Sequence, residues 1–209
     1  MEIRKPMVDK SQLKKSSSVE GPVLYLDNSL LDGAPFGSEN IDEINISTSI
    51  IHNLSLQSSL LEDMKSIDSV FTGASFAGAV FHQVFWERTV IDKSRFQGTQ
   101  LMRLLARDVV IERSKCNDFS LRFSKIKNIL FSDCDLENAD FAGAEMENVV
   151  FKNCNLKNSQ FSHAKLNNVN FKESIIEGIA ISKDSFGNIT VNTGQAIYLA
   201  STLGLNIED

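Results

Sequence analysis

The sequence predicts an all-β solenoid, with four-sided coils stacked along one axis and a short α-helix closing the far end. Two observations carry that expectation. From Phe131 to Phe171 a large apolar residue returns at every fifth position: Phe131, Leu136, Phe141, Met146, Phe151, Leu156, Phe161, Leu166, Phe171. Two residues before each stands something small or β-branched, such as Cys134, Ala139, Ala144, Val149 and Cys154. The second observation is a longer period. Residues 131–150 and 151–170 share Phe, Cys, Leu, Asn, Phe, Ala, Asn and Val at an offset of twenty.

Neither regular element can bury this pattern. A helix turns about 100° per residue, so positions five apart are rotated by about 140° and share no face. A flat strand alternates with period two, so an odd spacing throws successive Phe and Leu to opposite sides. The chain must corner once per five residues, always turning the same pair inward. Four such sides close one coil, and coils stack as a solenoid. Asn, Asp or Gly recurs two positions after the central residue (Asn128, Asp133, Asn138, Gly143, Asn148, Asn153, Asn158, Asn168, Gly178). Those residue types tolerate the positive φ of tight corners.

Taken in order, residues 1–22 carry five basic groups and a Ser run without the repeat, and are expected to form a flexible N-terminal tail. The alternative is an arm laid on the solenoid through Met7, Val8 and Leu13. Residues 23–187 form the shaft. Counting back from Phe131 in fives reaches Leu26 through Phe36, Ile41, Phe71 and Trp86; counting forward reaches Ile181 and Phe186. That gives about eight coils, a rod roughly 38 Å long at the spacing of stacked strands. Only Ser66, Ala106 and Cys116 are small at central positions. Met64 and Leu104 are large where a small residue is usual, which conserves core volume around the first two. Cys116 leaves room that Phe119, on the next side, can fill. No insertion breaks the count, so no long loop is expected in the shaft.

Residues 188–209 form the cap. Thr193 to Gly204 reads as one helix with Asn192 or Thr193 as N-cap and Gly204 just past its end. Ala196, Ile197, Leu199, Ala200 and Leu203 make its apolar face. An open solenoid end exposes apolar side chains and unpaired strand groups, so covering the last coil is this helix's expected task.

Cys134-Asp135-Leu136, Ala139-Asp140-Phe141 and Cys154-Asn155-Leu156 resemble the A-(D/N)-L-x-x motif of the pentapeptide-repeat family. The resemblance implies a right-handed, four-sided β-helix. Gln195, Ala196, Leu199, Leu203 and Gly204 further resemble the C-terminal end of the quinolone-resistance members, where the equivalent helix caps the rod and joins two subunits. That implies a homodimer through this helix. The same resemblance implies a DNA-mimicking surface directed at DNA gyrase, with tolerance to quinolones or gyrase toxins.

Composition narrows function further. A net charge of −6 argues against a generic nucleic-acid binder, and no apolar run is long enough to span a membrane. Three cysteines and the lack of a secretory signal point to a cytoplasmic protein with reduced thiols. No catalytic, metal or cofactor motif is present: His52, His82 and His163 fall at outward positions, and Cys134 and Cys154 at inward ones. The expectation is therefore a non-enzymatic binding or scaffold protein acting through its outer faces. Two surface features stand out. Asp133, Asp135, Glu137, Asp140, Glu145 and Glu147 make the distal half acidic, beyond a basic waist through Arg88, Arg95, Arg103, Arg107, Arg113 and Arg122. On one side of the coil the outward residue before the central one is always aliphatic: Leu30, Ile50, Val70, Val90, Val110, Leu130 and Val150. This stripe is either a ladder favoured by β-propensity, a contact surface, or a seat for the N-terminal arm.

Overall fold

A computed structural model describes residues 2–16, 22–33 and 42–208; the central positions Phe36 and Ile41 lie outside the described residues. The shaft is a parallel β-solenoid of about eight turns, followed by a single helix. Its strands are β1 (Lys14–Ser16), β2 (Val23–Asp27), β3 (Ser29–Asp32), β4 (Glu43–Ser47), β5 (Ile50–His52), β6 (Leu60–Thr72), β7 (Val80–Asp92) and β8 (Gln100–Leu101). They continue as β9 (Leu104–Glu112), β10 (Lys125–Ser132), β11 (Glu145–Lys152), β12 (Gln160–Phe161), β13 (Lys165–Asn170), β14 (Ala180–Ile181) and β15 (Asn188–Thr190). Helix α1 spans Thr193–Thr202. Between β2 and β14 the strands of successive coils bond at an offset of twenty residues, from Val23↔Glu43 to Phe161↔Ile181.

The corners explain why the five-residue beat can hold. Asn128, Asp133, Asn138, Asn148, Asn153, Asn158 and Asn168 all have φ between 51 and 58°. Asn and Asp tolerate this left-handed region better than other L-residues. Gly143 is needed twice over. Its φ is +68°, and a Cβ there would lie 2.5 Å from the Phe123 ring, which covers it from the preceding coil.

Inside, the central side chains fill the rod. Phe131 stacks on Phe151 at 5.1 Å and Phe151 on Phe171 at 5.3 Å, while Phe141 stacks on Phe161 at 4.7 Å. The two columns meet edge to face, as Phe141 and Phe151 do at 5.7 Å and 75°. Such pairs add about 0.5–1.5 kcal/mol each beyond burial. The three small centres are compensated as volume conservation demands. Met64 and Leu104 are buried, and Trp86 lies in register between Ser66 and Ala106. Phe119 is fully buried with its ring 5.0 Å from Phe96, in the space Cys116 leaves.

The two ends depart from the repeat. Residues 2–16 make the contacts of an arm laid on the solenoid. β1 pairs in parallel with β3, closing part of the first coil's open edge. Further back, the chain follows the corner that carries Asp68, Arg88 and Asp108. The Met7 N–H donates to Asp68 at 3.1 Å, and Arg4 Nε donates to Asp108 at 2.7 Å. The Met7 side chain itself is exposed, while Ile3, Pro6, Val8 and Leu13 are half-buried. At the far end the beat breaks after Ile181. A 3₁₀ turn at Lys183–Ser185 precedes β15, whose pairing with β13 starts one residue out of step at Asn167 and returns to the offset of twenty at Val169.

Asn192 then caps α1 through a reciprocal pair of bonds with Gln195. The Gln195 amide also donates to the carbonyls of Phe171 (2.8 Å) and Ser174 (2.7 Å). With no further coil to bond them, those carbonyls need such a donor. Leu199 is buried against the last coil and Gly204 has φ +84°, as expected for the residue ending the helix.

Candidate interaction surfaces

The aliphatic stripe is a true column. Leu30, Ile50, Val70, Val90, Val110, Leu130 and Val150 are cross-strand neighbours in an unbroken line that ends at Asn170. Its exposure differs from the expectation: Ile50 is buried and the other six are only half-exposed. At its first rung Lys15 of the arm pairs with Leu30, and the arm then runs along the adjoining corner.

Two carboxylates hold that arm. Arg88 donates to Asp68 at 2.7 Å and holds its carboxyl below the ordinary range, with the Met7 N–H assisting. For Asp108 burial acts upward, but hydrogen bonds from Asn128 and Arg4 outweigh it and hold the carboxyl low.

The acidic set does not form one anionic surface. Asp140 pairs with Arg122 (3.0 Å), Glu147 with Lys127 (2.6 Å), and Glu145 with both Lys165 (2.8 Å) and Lys125 (3.4 Å). Asp133 and Asp135 accept instead from neutral amides of Asn153, Asn117 and Asn155. Glu137 also accepts from Asn155, at 3.3 Å. Asp133, Asp135 and Glu137 thus remain the uncompensated part, on one side of the coil. On the cap helix, Leu199 faces the core and Ala200 is half-buried, whereas Ala196, Ile197 and Leu203 face outward.

One surface escaped the sequence reading. The outward column Asn45, Lys65, Phe85, Leu105, Lys125, Glu145, Lys165 is polar except at its centre. There Phe85 and Leu105 are adjacent, 36% and 47% exposed. Beside them a groove of about 580 Å³ opens, with Ala106 in its lining. Glu87, Arg107, Lys127 and Glu147 rim it. The signal was available: two apolar residues interrupting a polar outward column.

The remaining reactive groups are quiet. All three cysteines are free and buried. Cys134 donates to the carbonyls of Ile111 and Ser132, and a hydrogen bond with Cys116 pushes its thiol up to about 12. Cys154 is raised by Cys134 and by burial. Among the described residues no group of His, Cys, Asp and Glu is arranged to hold a metal ion, and no helix is long and apolar enough to cross a membrane.

Residues 124–198 match the pentapeptide repeat region family, and residues 69–103 match the family of pentapeptide repeats in eight copies. No curated protein matches the sequence. Among solved structures, the chain is similar to a trypsin-treated variant of QnrB1, a plasmid-mediated fluoroquinolone resistance protein. Identity is 13% over 89% of this chain and 99% of that one, with a TM-score of 0.42. It is also similar to HetL of the cyanobacterium Nostoc sp. strain PCC 7120, involved in heterocyst differentiation regulation. There identity is 13% over 80% and 84% of the two chains, with a TM-score of 0.39. Likeness at this level carries neither protein's partner across.

Proposed function

The chain belongs to the pentapeptide-repeat family, and on that premise we propose that it is a non-enzymatic binding protein whose partner docks on the middle coils, over Phe85 and Leu105. A rod filled by its own side chains has only outer faces to offer. What carries the reading is a groove in which exposed apolar neighbours are ringed by charges of both signs. An apolar centre with a polar rim is the anatomy of a protein contact. The partner is accordingly a protein with a small apolar anchor rather than a nucleic acid.

A photo-crosslinking residue at Arg107 tests this in the native host. A discrete protein adduct is expected, and it should vanish when Phe85→Asp and Leu105→Asp are added. An adduct indifferent to those changes, or none at all, removes the groove as the docking site. The DNA-gyrase reading draws less support, because half of the acidic set is neutralised by neighbouring lysines and arginines. A second copy meeting this one at Ile197 and Leu203 is a subordinate part of the proposal. Its mark is a doubled mass in solution that Ile197→Asp abolishes.

A further inference from the structure

A different side of the rod carries four cations in a two-by-two array. Arg95 and Lys115 are direct cross-strand neighbours. Lys93 and Arg113 occupy equivalent corners of the same two coils, with φ of +50° and +48°. Together with Gln97 they line a recess of about 270 Å³. Like charges placed directly opposite one another destabilise a sheet. Two other like-charged pairs are relieved by their neighbours: Arg107 and Lys127 stand in register between Glu87 and Glu147, and Asp92 and Glu112 both bind Arg113.

Here no such relief exists. Arg113 is held by Asp92 (2.8 Å) and Glu112 (2.7 Å). Lys93, Arg95 and Lys115 pair with no carboxylate among the described residues. Lys115 even stands in register with Asp135, yet that carboxylate accepts from Asn117 and Asn155 instead. After Arg113's two partners are set against the four cations, an excess of two positive charges remains in the recess.

We infer that this recess is a binding site for a compact phosphate-bearing ligand, of the size of a phosphate or diphosphate group. Guanidinium and ammonium groups in one recess supply the forked and point-charge donors that phosphoryl oxygens take. The neighbouring coil sets the size. Asp133, Asp135 and Glu137 begin one strand spacing beyond Lys115, so a long polyanion laid along the rod meets repulsion where a short one does not. The site is independent of the groove at Phe85 and stands or falls without it.

The test uses the full chain, inorganic pyrophosphate, and the double variant Arg95→Ser, Lys115→Ser, which continues the Ser55–Ser75 column. Pyrophosphate at physiological salt is expected to raise the wild-type melting temperature in a saturable way. The double variant should bind it at least tenfold more weakly, while its unliganded melting temperature is equal to or above the wild type's. Three outcomes overturn the inference. Pyrophosphate could shift both proteins equally. The unliganded variant could melt well below the wild type, which would mean that the cations hold the fold. Or a short DNA duplex could bind the wild type more tightly than pyrophosphate and lose that binding in the variant, which would make the ligand a nucleic acid.

Discussion

The distal coils, residues 128–171, and the middle coils, residues 84–124, share one backbone path and differ in what they tolerate. In the distal stretch the left-handed corners are Asn, Asp or Gly, with His163 as the exception. In the middle Gly98, Asp108 and Asp118 keep that pattern, but the other five corners hold Arg88, Lys93, Arg103, Arg113 and Phe123 at φ of 45–55°. Among the described residues, both buried side-chain polar atoms without a partner, Trp86 Nε1 and Ser124 Oγ, also lie there. So do the like-charged pair Arg95 and Lys115 and the exposed pair Phe85 and Leu105. Each feature costs stability: left-handed conformations are unfavourable for residues with a Cβ, and an unpaired buried donor forfeits about 1–3 kcal/mol. Concentrated in one stretch of a repeat that can do better a few coils away, these costs mark the part of the rod shaped by something other than folding.

Phe141→Ala removes a ring stacked on Phe161 and edge-on to Phe131 and Phe151. It is expected to cost about 3–5 kcal/mol, measured by denaturant unfolding. A loss below 1 kcal/mol would mean that the distal ladder is not the stable half. A smaller effect comes from the exchanged volumes in the middle. Leu104→Ala alone should cost about 2–5 kcal/mol and Ala106→Leu alone about 1–3 kcal/mol. The double change restores the distal pattern and should cost clearly less than the two singles summed. Simple additivity would show that the two sites do not share one cavity.

The smallest effect concerns the arm. Asp68 and Asp108 have carboxyls held below their ordinary range in the folded chain. Their contribution is therefore fully present above the unfolded value near 4 and is lost as pH falls through the lower folded values. Amide exchange at Met7 should be protected at pH 7 and speed up, relative to its intrinsic rate, as pH drops below that window. Protection that persists in acid would assign the arm's hold to β1 pairing alone.

The shaft was legible because each inward residue answers to one requirement, filling a fixed cross-section. Swaps such as Phe119 for Cys116 follow from the same rule. The corners were legible because positive φ selects few residue types. The arm was offered only as an alternative, since residues 2–16 lack the repeat and are held by β1 pairing, a backbone N–H and one arginine, none of which leaves an apolar pattern. The groove was missed because its lining comes from adjoining coils, which only the stacked fold brings together. The acidic face was overestimated because a linear count cannot tell which lysine stacks twenty residues away.

The most direct measurement is the melting temperature of the double variant Phe85→Thr, Leu105→Thr, set beside Phe141→Ala. Threonine keeps β-propensity and returns the outward column to polarity. The variant should melt within a few degrees of the wild type, while Phe141→Ala melts far below it. A drop in the double variant comparable to that of Phe141→Ala would show that Phe85 and Leu105 hold the rod together, and the case for a contact surface on the middle coils would be gone.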